Sequence, residues 1–248
     1  FARRGHSAPF LRYDSTTTVF WPGCSLAGTS PEATLAGQEL LAFALGEEVG
    51  LVLDCCFDPL FQMGDTGPVN EACDNIRERL ARAGIREVIV GCINCKKVFE
   101  RHMEDVSVRH FVEVLSVDSL ASLPGEDLYL HHPCPAYHVE GIAEKISSII
   151  GHPAVDDVDE QMIPACCGYG GSINNQDPEL SEKFTERVTM AAYGASIVTS
   201  CMGCKNRFLG RGTNTYHLLE LLTGVKPKEK PVGTARKWAN RLLLAKNK

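Results

Sequence analysis

The stretch Arg86-Glu-Val-Ile-Val-Gly-Cys-Ile-Asn-Cys95 joins a short apolar run to two cysteines in Cys-x-x-Cys spacing. A second stretch has the same form, Ala195-Ser-Ile-Val-Thr-Ser-Cys-Met-Gly-Cys204. Each apolar run has the length of a buried strand, and the Cys-x-x-Cys pair lets two sulfurs face one metal ion. The two stretches therefore predict strands that carry thiol ligands just past their carboxyl ends.

Both stretches end a five-cysteine pattern that occurs twice in the 248-residue chain. Each copy has one cysteine, then an adjacent pair, then the Cys-x-x-Cys pair, and equivalent cysteines lie 109 to 111 residues apart. A register this regular indicates an internal duplication. The candidate ligands are Cys24, Cys55, Cys56, Cys92 and Cys95 in the first copy and Cys134, Cys166, Cys167, Cys201 and Cys204 in the second.

Strands and helices alternate along both halves. The predicted strands cover 18–21, 49–53, 86–90 and 106–109, then 127–130, 161–163, 195–199 and 213–216. The predicted helices cover 31–45, 69–82, 111–117, 139–150, 180–193 and 217–222. This alternation predicts an α/β fold of two duplicated, small Rossmann-like domains with parallel sheets. Every cysteine group then falls at the carboxyl ends of strands, the edge at which open parallel sheets bind ligands.

The predicted domains are an N-terminal arm over 1–18, a first domain over 19–124, a second over 125–224 and a basic tail over 225–248. The tail is predicted to contain a helix over 234–246, suited to a membrane surface, to a partner subunit or to packing on the body of the protein. The chain does not begin with Met, which leaves room for an upstream domain.

Composition narrows the classes of function. The formal charge is −6, and since residues 225–248 carry eight Lys/Arg and one Glu, the remainder is strongly acidic. Such a body is a poor nucleic-acid binder, because phosphate contacts need clustered cations. We find no apolar run long enough for a transmembrane helix and no export signal. We therefore expect a cytoplasmic protein, associated with membranes only through partners, whose eleven cysteines are reduced thiols rather than a disulfide framework.

Five thiolates per half favour an iron–sulfur cluster over zinc. Zinc and ordinary cubane clusters each use four ligands, so a fifth thiolate would have no place. Two adjacent cysteines diverge and suit two different irons of a larger cluster. Zinc in one half and a thiol/disulfide role remain open as alternatives. The eleventh cysteine, Cys73, lies in a predicted helix outside the pattern and is expected to be a packed thiol.

These motifs resemble the CCG, or cysteine-rich, domain family, which includes the B subunit of heterodisulfide reductase. The resemblance covers about residues 19–224 and rests on Pro22-Gly-Cys-Ser-Leu26, Cys55-Cys56, Ala165-Cys-Cys-Gly-Tyr-Gly-Gly171 and both Cys-x-x-Cys pairs. It implies that each five-cysteine set holds a noncubane [4Fe-4S] cluster. One feature departs from the family: the Gly that follows the cysteine pair is kept as Gly168 but is Phe57 in the first half. This makes the first cluster less certain and leaves zinc open there.

The resemblance implies an oxidoreductase subunit of a heterodisulfide reductase-like complex in anaerobic metabolism. Its clusters would reduce or form a disulfide of a small thiol or carrier, and its partners would be ferredoxin-like iron–sulfur and flavin-containing subunits. Two alternatives stay open: a non-catalytic electron relay between a flavin or ferredoxin partner and a quinone-linked or soluble oxidoreductase, and a zinc-stabilised assembly subunit.

Several residues near the cysteines have two interpretations. The sequence leaves a role beside the cluster and a purely structural role open for four histidines, His110, His131, His132 and His217. Lys96 and Lys205 each follow a Cys-x-x-Cys pair and are expected either to offset cluster charge or to face water.

Overall fold

A computed structural model of the chain describes residues 16–116, 118, 127–150 and 165–246. Most of the predicted N-terminal arm, residues 1–15, lies outside this part. The chain forms two compact units. One unit runs to Val114 and also includes the segment from Gly233 onward, and the other covers Leu115–Val232. The cysteine pattern placed the boundary at 124 and set 225–248 apart, whereas the C-terminal helix here is part of the first unit.

The first unit is built on a four-stranded parallel sheet in the order β2-β1-β3-β4. Val19 of the central strand β1 lies opposite Gly50 of β2 and Val88 of β3. The inner strands are mostly apolar because both of their faces are buried. Their bounds are β1 Thr18–Trp21, β2 Val49–Leu51, β3 Glu87–Val90 and β4 Ser107–His110.

Helices of the first unit follow the strands. They are α1 Cys24–Thr29, α2 Pro31–Leu45, α3 Asp58–Gln62, α4 Thr66–Arg82, α5 Ile93–His102 and the C-terminal α11 Thr234–Lys246, with a 3-10 turn over Phe111–Glu113. One core cluster joins the sheet to α4 and α5; it includes Trp21, Leu80, Val88 and Phe99, all with no exposed surface. Cys73 belongs to this cluster, which confirms the prediction of a packed thiol.

The second unit has a three-stranded parallel sheet in the order β5-β6-β7. Its strands are β5 Leu128–His131, β6 Ser196–Thr199 and β7 Thr215–His217. The strand predicted over 161–163 lies outside the described residues. The helices are α6 Ile142–Ile150, α7 Ile173–Gln176, α8 Pro178–Ala191, α9 Met202–Leu209 and α10 Leu218–Thr223, with a 3-10 helix over Cys134–His138.

The predicted α/β class with two parallel sheets is confirmed. The helices α1, α5 and α9 were missed, because each begins at or directly after a cysteine that was treated as part of a turn. In α5 a signal was present, since Cys95, Val98 and Phe99 have helical spacing and are all buried. The segment predicted as a helix over 111–117 forms only a 3-10 turn at its start.

A buried lysine that pairs with glutamate appears in equivalent places of the two units. Lys205 donates to Glu220 at 2.5 Å, and neither side chain is exposed. Lys96 pairs with Glu113 and with Glu100, both at 3.0 Å. Both lysines are buried, so the alternative in which they face water is wrong, and each one pairs with a glutamate. In each unit, this lysine connects the helix of the Cys-x-x-Cys pair to the turn or helix that follows the last strand of the sheet.

His110 and His217 also have structural positions, each preceding the turn or helix that contains the paired glutamate. Leu219 donates its N–H to Nδ1 of His217 at 3.2 Å, so this imidazole caps α10. Burial, together with the charge of Lys205, lowers the pKa of His217 to about 3 and keeps the ring neutral.

We predict that Glu220→Gln lowers the free energy of unfolding by about 3–5 kcal/mol, because Lys205 would keep a buried charge without its carboxylate. Glu113→Gln is the matched control, since Lys96 retains Glu100. Its loss should be less than half as large. Urea unfolding of both variants, followed by circular dichroism, measures the difference, and equal losses would contradict the assigned role of the Lys205–Glu220 pair.

Candidate functional site

The carboxyl ends of β2, β1 and β3 bring five cysteines of the first unit together. Cys24 opens α1 after β1, Cys55 and Cys56 follow β2, and Cys92 caps α5 after β3, with Cys95 in the first turn of that helix. Because the three strands are adjacent and parallel, these segments share one edge of the sheet.

The thiols of the first unit contact one another directly. Sγ of Cys95 lies 3.2 Å from Sγ of Cys56, and Cys95 also has a thiol hydrogen bond with Cys92. Cys24 and Cys55 form a further thiol hydrogen bond. The adjacent pair Cys55-Cys56 thus connects the other three thiols into one group.

Hydrogen bonding and charge make Cys24 the most acidic thiol of this group. Its hydrogen bond with Cys55 and the positive charges of Arg241 and Lys237 lower its pKa to about 6. The same hydrogen bond, with burial, raises the pKa of Cys55. At neutral pH, Cys24 is therefore the thiolate of this pair and Cys55 the thiol.

Asp54 is a residue of the first site that the sequence analysis missed. Its buried carboxylate accepts the backbone N–H of Cys55 at 2.8 Å and a hydrogen bond from Arg79 on α4 at 2.9 Å. Burial raises the pKa of Asp54 despite these partners. The signal was an acidic residue at the end of an apolar strand, where a buried charge needs a partner. The second unit has Ala165 in the equivalent place.

The second unit repeats the thiol group. The contacts are thiol hydrogen bonds of Cys134 with Cys166, of Cys167 with Cys204, and of Cys201 with Cys204. The first of these raises the pKa of Cys134 and lowers that of Cys166 to about 7. The structure therefore brings all ten predicted cysteines together in two groups of five.

Backbone N–H groups contribute to both sites. The N–H of Phe57 donates to Sγ of Cys55 at 3.4 Å, and the N–H of Gly168 donates to Sγ of Cys166 at 3.3 Å. Backbone N–H groups of Cys204 and Gly203, at the start of α9, also lower the pKa of Cys201, after the larger effect of its hydrogen bond with the Cys204 thiol. Such donors stabilise negative charge on sulfur.

His131 is a feature of the second site that the first site lacks. It ends β5, is fully buried, and its hydrogen bond is the second cause, after that of Cys204, that lowers the pKa of Cys167. Trp21 ends β1 in the equivalent position of the first unit. Both rings pack edge-on against a phenylalanine of the helix that carries the Cys-x-x-Cys pair, Trp21 on Phe99 of α5 and His131 on Phe208 of α9.

His132 contacts residues of α6 and of the 3-10 helix over Cys134–His138. Its Nε2 lies 3.2 Å from the hydroxyl of Ser147 on α6, and its ring packs edge-on against Tyr137. Of the four histidines with two interpretations, His131 is thus the one that the structure places beside cysteine sulfurs.

Gly168 packs closely against α8. Its φ is +77°, and a Cβ there would lie 2.2 Å from the backbone oxygen of Ser181 on α8. Phe57 has the same left-handed backbone, with φ 62°, and packs against the core cluster that includes Cys56 and Cys95. The position therefore needs the left-handed conformation in both units, while only the second needs the absence of a side chain.

The donor set suits a thiophilic metal. Ligand atoms of His131, Cys167 and Cys204 lie within 4.8 Å of one another and are buried, which gives the second unit a preformed group of three donors. Soft thiolates select iron–sulfur clusters and zinc over hard cations. A parallel α/β unit with thiols gathered at the carboxyl edge of its sheet is the framework of a thiolate metal-binding protein.

Comparison with known families agrees with this class. Residues 128–208 match the sequence model of the cysteine-rich domain family, CCG. The second half of the chain is thus similar to this family, and the resemblance inferred from the cysteine motifs is confirmed there.

Curated relatives carry iron–sulfur and redox names. The B subunit of a fumarate reductase (CoM/CoB) from Methanothermobacter marburgensis is 25% identical over 75% of this chain and 40% of its own length. Lactate utilization protein A from Oceanobacillus iheyensis is 23% identical over 71% of this chain and 86% of its own length. An iron–sulfur protein from Methanococcus maripaludis is 21% identical over 68% of this chain and 34% of its own length. The chain thus spans well under half of two of these relatives.

Solved structures with a similar arrangement include the aspartate racemase of Picrophilus torridus, with a TM-score of 0.40 and 13% identity over 87% of this chain and 97% of the racemase. An aspartate racemase homologue from Pyrococcus horikoshii aligns with a TM-score of 0.34 and 15% identity over 93% of this chain and 99% of its own. Similarity at this level carries no argument about activity. Within the described ranges, no helix is long and apolar enough to cross a membrane.

We predict that limiting iodoacetamide, at about pH 7.5, modifies Cys24 and Cys166 first in the reduced, metal-free protein. Their pKa values of about 6 and about 7 make them thiolates at that pH. Burial raises the pKa of Cys73 to about 12, so this thiol should resist and serves as the internal control. Peptide mass spectrometry measures the order, and the rate at Cys24 should fall as the pH drops below about 6 because the thiolate becomes protonated. Equal rates at Cys24 and Cys73 would contradict the prediction.

We also predict that Gly168→Ala destabilises the protein by about 2–4 kcal/mol, through left-handed strain and the clash with Ser181. Gly170→Ala is the matched control, because a Cβ there meets nothing within 4 Å. Thermal unfolding of the two variants compares the two positions. If Gly168→Ala proved as stable as Gly170→Ala, the contact with α8 would not be what requires glycine.

Proposed function

We propose that this chain is an iron–sulfur redox subunit that holds one noncubane [4Fe-4S] cluster in each unit. The observation that carries the proposal is the gathering of five cysteines at each sheet edge, with pairwise contacts between their thiols. The first cluster would be held by Cys24, Cys55, Cys56, Cys92 and Cys95, and the second by Cys134, Cys166, Cys167, Cys201 and Cys204.

Five thiols favour a cluster over a single zinc ion. Zinc is complete with four ligands, whereas five cysteines of the first unit lie at one sheet edge, in two sets, Cys24 with Cys55 and Cys95 with Cys56 and Cys92. The relatives support the same choice, since one is named as an iron–sulfur protein and another as a subunit of a fumarate reductase.

The reaction we propose for the second unit is reduction, or the reverse formation, of a disulfide in a small thiol or carrier. An iron–sulfur cluster supplies one-electron transfer when bound. Two electrons from ferredoxin-like and flavin-containing partner subunits reduce the two sulfurs of the substrate. Its S–S bond breaks, and two protons convert the thiolates into thiols. The reverse reaction returns both electrons to the partners.

The residues of the second unit suit such a site. Cys134, Cys166 and Cys201 are partly exposed, whereas Cys167 and Cys204 are buried, so the site is open on one side only. Tyr169 is about half exposed and its ring lies against Gly203, between the two cysteines of the Cys-x-x-Cys pair. We propose that this open side admits the disulfide, while His131 holds a hydrogen bond to Cys167 from the buried side.

A second candidate function, an electron relay without its own substrate, is favoured for the first unit. Trp21 stands where His131 lies in the second unit, and the ring of Phe57 packs in the cluster that includes Cys56 and Cys95. Both features place bulky rings in the core cluster of Cys56 and Cys95, where the second unit has His131 and Gly168, and a relay needs no opening for a substrate. A third candidate, zinc-based assembly, is favoured only by the three-donor group of His131, Cys167 and Cys204.

Metal analysis with paired variants tests these proposals. Protein purified without oxygen should contain about eight irons and eight sulfides per chain, because each of two [4Fe-4S] clusters holds four of each. Cys92→Ser/Cys95→Ser and Cys201→Ser/Cys204→Ser should each remove about half of the iron. Cys73→Ser, outside both groups, should remove none.

Each outcome separates the candidates. Iron with disulfide reductase activity that disappears in Cys201→Ser/Cys204→Ser alone supports the catalytic second unit. Iron that is redox-active without any disulfide turnover supports the relay. Zinc in place of iron, in protein prepared without oxygen, would refute the redox function altogether.

A further inference from the structure

The C-terminal helix α11 packs directly on the helix that begins with Cys24. Nδ2 of Asn240 donates to the backbone oxygen of Gly28 in α1 at 2.8 Å. A Cβ on Gly28 would lie 2.9 Å from Cβ of Lys237 and 3.3 Å from its Cα. Glycine at this position is therefore what allows the two helices to approach so closely.

A second contact joins α11 to the segment that leads to the cysteine pair. Arg241 is buried, and its guanidinium donates to the backbone oxygen of Leu53 at 2.7 Å. The same group stacks on Trp238, 4.9 Å from the ring centroid. Leu53 lies two residues before Cys55, so α11 holds the segments that carry Cys24 and Cys55, which themselves hydrogen-bond through their thiols.

The helix also brings positive charge to the first site. The guanidinium of Arg241 lies at the backbone of Leu53, two residues before Cys55, and Lys237 packs against Gly28 of the helix that begins with Cys24. In the second unit, besides burial, the cysteine pKa values are set by other cysteines, His131 and backbone N–H groups. The two sites thus differ in the source of their positive charge, although their cysteines follow one pattern.

We propose that α11 contributes directly to the first cluster site, both to its structure and to its electrostatics. It clamps the segments that carry Cys24 and Cys55, and Lys237 and Arg241 raise the reduction potential of the cluster held there. This inference rests on the proposed function, because it requires a cluster in the first unit. Reduction adds negative charge to a cluster, so nearby cations stabilise the reduced state and raise the potential.

The charge effect is tested in a chain that keeps only the first cluster, the full-length Cys201→Ser/Cys204→Ser variant. Lys237→Gln in this background should shift the midpoint potential, followed by EPR during a redox titration, to a lower value. Arg236→Gln is the matched control, since this arginine is exposed on the same helix and should leave the potential unchanged. In the reciprocal Cys92→Ser/Cys95→Ser background, Lys237→Gln should have no effect on the second cluster.

The clamp is tested with Gly28→Ala, which places a methyl group against Lys237. Alanine favours a helix more than glycine does, so any loss must come from displaced α11 rather than from α1 itself. We expect faster proteolysis between residues 225 and 233 and loss of about half of the iron, since one of two [4Fe-4S] clusters is affected. Gly67→Ala is the control, because it also lies in a helix and a Cβ there meets nothing within 4 Å.

The outcomes distinguish this inference from the proposed function. Iron-loaded protein in which Lys237→Gln and Arg236→Gln have equal potentials would overturn the charge effect. Full iron content in Gly28→Ala would overturn the clamp. A wild-type chain that binds no iron would overturn the proposed function, and this inference with it.

Discussion

The alignment of parallel strands is the constraint on which both candidate sites depend. Cys24, Cys56 and Cys95 are far apart in sequence, yet each follows a strand, and β2, β1 and β3 are neighbours in one sheet. Their carboxyl ends must then lie at one edge, and the helices that start there present thiols and backbone N–H groups to the same space. The 3.2 Å contact of Cys56 with Cys95 follows from this arrangement.

The two candidate sites share the duplicated fold but differ in the residues around their cysteines. The first site has Trp21, Asp54 and Phe57 where the second has His131, Ala165 and Gly168. In the first site, the buried carboxylate of Asp54 accepts the backbone N–H of Cys55, and Lys237 and Arg241 of α11 supply positive charge. In the second, an imidazole contacts a thiol from within the sheet. The reduction potential of an iron–sulfur cluster depends on the charges and hydrogen bonds around its sulfurs. A division of roles between the two sites would therefore originate in these residue differences.

Charged residues next to the cysteines show how proximity in sequence can mislead. Lys96 and Lys205 directly follow the Cys-x-x-Cys pairs, but both are buried and form ion pairs with glutamates. Lys237 and Arg241 are more than a hundred residues from any cysteine of the first unit, yet their charges act on Cys24. A helix presents successive residues to different faces, whereas packing brings remote ones together.

The sequence by itself determined the α/β class, the duplication, the ten grouped cysteines and the packed position of Cys73. Periodicity and spacing are local properties of the sequence, and in a parallel sheet the residues that follow neighbouring strands lie at the same edge. Only the tertiary structure decided what surrounds the thiols. Asp54, His131 and Arg241 matter through contacts across different elements, and Gly28 and Gly168 through the close approach of a second helix. Such contacts depend on how elements pack, which no local pattern encodes.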